Sequence, residues 1–326
     1  MGYKKEFQES IENPEKFWRK QAELIKWYEF PKTVLSEDEN GFYRWFKGGK
    51  LNTSYLLLDY HIECGRGDQI ALIYDSPVTN SKRKFSFKEL LEKVSKLAGV
   101  LRTKGIEKGD RVIIYMPMIP EALISMLACA RLGAVHSVVF GGFAPKELAI
   151  RIDDAKPKLL LTASCGIEFT NVIEYKPLVD EALHISKNPP QTVILLQRNQ
   201  SKATMKLGRD YDWDELLDAA SAVDPVPVDA TDPLYILYTS GTTGLPKGVV
   251  RDNGGHAVAL KYSMKAIYNS DPGDVFWAGS DVGWIVGHSY IVYAPLIHGC
   301  TTIIYEGKPV RTPDAGSFWR VISEHQ

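Results

Sequence analysis

The order of apolar and polar segments predicts an α/β fold built on a mostly parallel sheet. From about residue 70, apolar β-branched runs of five or six residues alternate with amphipathic, capped segments. The runs are apolar throughout rather than alternating, which is the pattern of strands covered on both faces. One of them, Leu234–Tyr238, feeds directly into a loop rich in glycine and threonine. Open parallel sheets hold ligands at such carboxyl ends.

Taken in order, residues 8–60 are dense in Trp, Phe, Tyr and charge, as in Phe17-Trp18, Trp27-Tyr28 and Tyr43-Arg44-Trp45-Phe46. Asn13-Pro14-Glu15 predicts a helix with Asn13 as N-cap and Pro14 at its first position, running towards Ile25. Acids match bases here, so the segment reads as an arm laying its rings on the main domain rather than as stacking platforms for single-stranded nucleic acid. Ile70–Tyr74 is the first predicted strand. Ser86-Phe87-Lys88-Glu89 is a capping box, opening a helix whose stripe of Leu90, Leu91, Val94, Leu97 and Leu101 ends at Gly105. Strands at 111–116, 135–140, 158–162 and 192–196 follow, with helices at 120–132, from Ala144-Pro145, and from a second box at Asp212-Trp213-Asp214-Glu215. After the loop, Leu260, Met264 and Ile267 mark one face of a further helix. The segment Cys165–Asn171 reads as a surface loop before a helix ending near His184.

The 326 residues are 44% hydrophobic and 24% charged with net charge −1, which describes an ordinary globular protein of one large or two moderate domains. Balanced charge with no basic block argues against a nucleic-acid partner. No run of 18 apolar residues is present to span a membrane. The first residues carry early acids and no apolar core, so neither a secretory signal nor a transit peptide is visible. Cys64, Cys129, Cys165 and Cys300 show no zinc spacing and read as reduced thiols, pointing to a cytoplasmic setting. No metal-ligating set is assigned on the protein.

The loop chemistry is specific. In Thr239-Ser240-Gly241-Thr242-Thr243-Gly244-Leu245-Pro246-Lys247-Gly248, glycines let backbone N–H groups turn inward, four hydroxyls add donors, and Lys247 adds a cation. Each hydrogen bond to a charged oxygen is worth roughly 1.5–3 kcal/mol, so four or five would hold a triphosphate. A Walker A loop needs glycine directly before its Lys-Ser/Thr pair; here Pro246 precedes Lys247 and Gly248 follows it, so that geometry fails.

This decapeptide resembles the signature loop of the adenylate-forming superfamily of acyl-CoA synthetases, luciferases and peptide-synthetase adenylation domains. The resemblance extends through Tyr115-Met116-Pro117-Met118-Ile119-Pro120-Glu121 and Met126–Arg131 to the AMP-forming short-chain branch, the acetyl- and propionyl-CoA synthetases. It implies an extension at residues 1–65 and the first portion of the AMP-binding large domain at 66–326. It further implies ATP, Mg²⁺ and coenzyme A as cofactors, with Thr239 and Lys247 acting on the phosphates together with Ser240, Gly241, Thr242, Thr243 and Gly244. In acetyl-CoA synthetases the place of Glu168-Phe169-Thr170-Asn171 offers two arginines to coenzyme A. Here Glu168 and Asn171 stand there, so either other cations hold coenzyme A or the correspondence is shifted by a few residues.

Trp284, read alone as a core residue, falls by resemblance on the family's acyl-pocket tryptophan, with Ile285, Val286 and Gly287 beside it. Its two flanking glycines would let the ring wall off a small apolar hole. Acetate-using relatives carry Thr at the place of Val286 and propionate-using ones Val. A fully apolar wall suits an extra methylene worth about 0.8 kcal/mol, which leans towards propionate over acetate. Tyr305–Pro309 and Thr312–Gly316 extend the likeness to the propionyl-type, mammalian short-chain family member three group. A mitochondrial matrix setting is the alternative if a leader is missing. The family's proteins run to roughly twice this length, so the chain is expected to be incomplete for catalysis. The rival expectation is an inactive phosphate-binding module or a non-catalytic partner of a full-length synthetase.

Overall fold

The computed structural model describes residues 2–239, 246–308 and 312–325. Its centre is a seven-stranded sheet in the order Asp210–Asp212, Thr192–Leu196, Leu159–Ala163, Arg111–Tyr115, Val135–Val138, Pro233–Thr239 and Lys247–Asp252. The first six run parallel and the last is antiparallel.

Why uniformly apolar strands are needed is visible in the side-chain alternation. Val112, Ile114, Leu159, Leu161 and Ile194 enter one large core, while Ile113, Tyr115, Leu160 and Val193 enter a second on the opposite face. Helices Phe87–Thr103 and Pro120–Leu132 supply the first core; Pro145–Ala155 and Tyr175–Ile185 cover the second. The Ser86 box closes in both directions, with the Ser86 hydroxyl accepting from Glu89 N–H and the Glu89 carboxylate from Ser86 N–H. At Asp212 the carboxylate accepts from the N–H groups of Asp214 and Glu215.

Ile70–Ser76 belongs to a separate four-stranded sheet, ordered Val275–Phe276, Thr301–Tyr305, Ile70–Ser76 and Ser81–Ser86, rather than to the central one. Its first three strands are parallel and its last is antiparallel. Buried ionic contacts join the sheets: Arg198, just past Thr192–Leu196, holds Glu306 at 2.8 Å, and Ser76 donates to the same carboxylate at 2.9 Å.

The arm holds helices Tyr3–Glu12 and Pro14–Ala22 and the hairpin Thr33–Glu37/Tyr43–Lys47. Asn13 does not cap with its side chain, and the helix stops at Ala22 rather than Ile25. Beyond the arm's rings, Asn52 fastens residues 50–60 to the domain: its Nδ2 donates to the carbonyls of Ala130, Arg131 and Val226, and its Oδ1 accepts from Tyr55 N–H. Ile267 departs from its expected place, as the C-cap of helix Asn253–Ala266 with 70% of its surface exposed. Among the described residues no helix is long and apolar enough to cross a membrane.

Candidate active site

Strand Pro233–Thr239 and strand Lys247–Asp252 form a hairpin in which Thr239 stands opposite Lys247. Both are exposed at the carboxyl end of the parallel strand, so a hydroxyl and an ammonium stand on paired positions there. Ser240, Gly241, Thr242, Thr243 and Gly244 lie outside the described residues. That Lys247 opens a strand has no signal in the residue pattern, because Val249, Val250 and Arg251 are all exposed and leave no inside-outside alternation.

A row of side chains carries this hairpin to the Trp284 segment. Tyr238 Oη donates to Asp154 Oδ2 at 2.6 Å. The guanidinium of Arg151, nearly buried and paired with Glu147 at 2.8 Å, lies 5.6 Å from the Tyr238 ring and 4.7 Å from that of Phe143. Phe143 in turn meets Trp284 edge-on at 6.4 Å, and Phe140 meets it at 6.0 Å. Sequence reasoning missed Arg151, Asp154 and Phe143; the Arg151–Asp154 pair on a helix that faces the loop strand was the available signal.

Trp284, Ile285 and Val286 are 49%, 41% and 52% exposed, so they form an open apolar patch rather than the enclosed hole expected of them. Gly287 is there because nothing larger fits: a Cβ would stand 1.8 Å from the Asp281 carbonyl oxygen. Immediately after it, His288 is fully buried against His136 and Tyr235, in a cluster that His256 and Tyr293 extend. Among the described residues neither ring nitrogen of His288 has a hydrogen bond of good geometry. Burial lowers its pKa to about 4 and that of His256 to about 3, which keeps both rings neutral.

The segment read as a loop is a hairpin, Cys165–Glu168 paired with Asn171–Glu174, turning through Phe169 at φ +57°. Glu168 and Phe169 line a cavity of about 340 Å³ with Gly141, Gly142, Asp281 and Lys308, while Thr170 and Asn171 are exposed at the hairpin tip. The Lys308 ammonium pairs with the Glu168 carboxylate and sits 4.8 Å above the Phe169 ring. The acid that seemed to bar an anionic ligand is thus neutralised in place. Burial pushes the Asp281 carboxyl up to about 6. A second cluster, Asp75, Glu324 and His325, brings three possible ligand atoms together, but Arg320 already grips Asp75 at 2.8 and 2.9 Å and compensates its charge.

Residues 62–326 match the family model described as AMP-binding enzyme, and residues 3–57 match that of the acetyl-coenzyme A synthetase N-terminus. The chain belongs to the AMP-binding enzyme family. Family relatives include an uncharacterised protein of Pseudomonas aeruginosa, 60% identical over all of this chain and 52% of its own length. The human mitochondrial acyl-CoA synthetase short-chain family member 3 is 57% identical over 99% of this chain and 47% of its own, and a P. aeruginosa acetyl-coenzyme A synthetase 2 is 46% identical over 99% and 50%. This family member spans about half the length of the curated relatives it matches.

Proposed function

We propose that this chain supplies the phosphate-holding and acid-sizing portion of an AMP-forming synthetase for short-chain carboxylates, propionate favoured over acetate. The observation that carries the reading is that Thr239 and Lys247 stand opposite each other, both exposed, at the carboxyl end of a parallel strand. A hydroxyl and a cation there suit an anionic oxygen, and Lys247 would stabilise charge moving onto pyrophosphate as a carboxylate attacks the α-phosphate of ATP. Bound Mg²⁺ would screen the remaining phosphate charge. The open patch of Trp284, Ile285 and Val286 would meet the acid's alkyl end, 6.0–6.4 Å from the rings of Phe140 and Phe143. Coenzyme A would then approach the cavity between Glu168 and Gly142, where pairing with Lys308 removes the repulsion that Glu168 alone would exert. Residues 1–65 act in this reading as an extension and 66–326 as the first part of the large domain, in a cytoplasmic or matrix compartment.

The test is calorimetric titration of the 326-residue chain with magnesium pyrophosphate, then carboxylate-dependent exchange of labelled pyrophosphate into ATP. Binding that drops about tenfold in Lys247→Ala supports the reading; equal binding by parent and variant overturns it. Because the chain spans half of its relatives, a phosphate-holding module without catalysis is the second reading, and binding without exchange selects it.

A further inference from the structure

A cavity of about 360 Å³ lies where the arm meets the large domain, away from the Thr239–Lys247 end of the hairpin. Trp18, Trp45 and Phe46 come from the arm; Arg251, Asp252, Gly255, His256, Ala259, Leu260 and Ser289 come from the domain. The arm wall is fixed. Trp18 packs edge-on against Trp45 at 6.0 Å and Tyr262 at 5.6 Å, and Trp45 leans on Phe46 at 5.9 Å.

The polar end is unusual in its proton inventory. His256 is only 8% exposed and held neutral by burial, so one ring nitrogen carries a proton. Tyr235 Oη lies 3.5 Å from Nε2. With Tyr235 as the donor the ring proton stands on Nδ1, which is shielded from solvent and makes no hydrogen bond among the described residues. A buried N–H without an acceptor costs about 1–3 kcal/mol, a loss that a ligand oxygen would remove. Ser289 adds a hydroxyl, and Arg251 adds a guanidinium that forms no ion pair among the described residues. Helix Asn253–Ala266 starts here, and its first-turn dipole also favours an anion. Asp252, the one acid in the lining, is turned to that helix and accepts from His256 N–H at 3.3 Å.

We propose that this cavity binds a monocarboxylate with a hydrophobic body larger than propionate, its carboxylate on Arg251, His256 and Ser289 and its tail between Trp18, Trp45 and Leu260. Three donors at one end and aromatic and aliphatic walls at the other match that amphipathic shape. The site is independent of the phosphate reading, since it uses neither Thr239 nor Lys247.

Calorimetric titration of the 326-residue chain with octanoate tests it, with 1-octanol as the uncharged probe of equal tail. Saturable one-to-one binding of octanoate, at least tenfold weaker in Arg251→Gln and in His256→Phe, supports the site. Arg251 is exposed, so its variant folds even if the histidine change disturbs the core. Ala259→Trp, also at an exposed position, fills the cavity and abolishes binding, while Lys247→Ala leaves it unchanged. Octanol binding as tightly as octanoate, equal affinity in Arg251→Gln, or octanoate still held by Ala259→Trp would each overturn the proposal.

Discussion

Asn52 shows how much one side chain decides. Fully buried, its amide serves three carbonyls and one N–H drawn from three separate segments. Asn52→Ala strands those groups without water and should cost about 3 kcal/mol, read as a lower urea midpoint with an unchanged m-value. A loss under about 1 kcal/mol would mean that water replaces the amide. Asp281 makes a prediction about pH. Its folded carboxyl titrates near 6, above the unfolded value, so the folded state holds the proton more tightly. The group therefore costs nothing below about pH 4, becomes destabilising as pH rises through 4 to 6, and stays so above. Asp281→Asn keeps an acceptor for Gly283 N–H and removes the charge, so its stability advantage over the parent should appear between pH 4 and 6 and persist at pH 8. Parallel stability curves for parent and variant would refute that assignment.

At the scale of elements, helix ends were the most legible features, because a cap is a local hydrogen-bonding requirement with a short list of residues able to meet it. Ser86 caps where the sequence puts it, and the helix expected at 120–132 ends there, at the αL glycine Gly133 with φ +69°. Two C-terminal glycines nonetheless differ. At Gly105, φ is +81° and a Cβ would meet no atom within 4 Å, so Gly105→Ala should cost only the left-handed penalty, about 1 kcal/mol. At Gly133 a Cβ would also lie 2.6 Å from Val228 Cγ1, so Gly133→Ala should cost about 3 kcal/mol by chemical denaturation. Equal losses would show that strand Val228–Asp229 yields freely. Two hairpins between strands adjacent in sequence were harder to read. The Cys165–Glu174 hairpin turns through Phe169 in the left-handed region without a glycine, and so carries no turn signature. The strand at Lys247 hides because its exposed valines look like loop. Thr239 and Lys247 stand out by local chemistry alone, and the hairpin sets them opposite each other, whereas the openness of Trp284 and the pairing of Glu168 with Lys308 depend on packing and leave no mark in the sequence.

Across the whole molecule the two sheets are fastened by a buried charge pair. Arg198 and Glu306 are almost without solvent, with Tyr74 and Ser76 donating to the same carboxylate. Removing one member leaves a buried charge unmatched, so Arg198→Met or Glu306→Leu alone should cost about 3–5 kcal/mol. The double variant should be less damaged than either single one, and losses that simply add would disprove the coupling. The second sheet also sets a timetable for the nascent chain. Leu72 pairs with Thr302, and among the described residues no strand between them in sequence takes that place beside Ile70–Ser76. At roughly 5–20 residues per second of synthesis, the hairpin Ile70–Ser76/Ser81–Ser86 waits on the order of 10–45 s for its neighbour. For that interval the backbone of Ala71, Leu72 and Ile73, side chains that the finished fold buries, is an open sheet edge, the kind of surface on which a foreign strand can pair before the chain's own has been made.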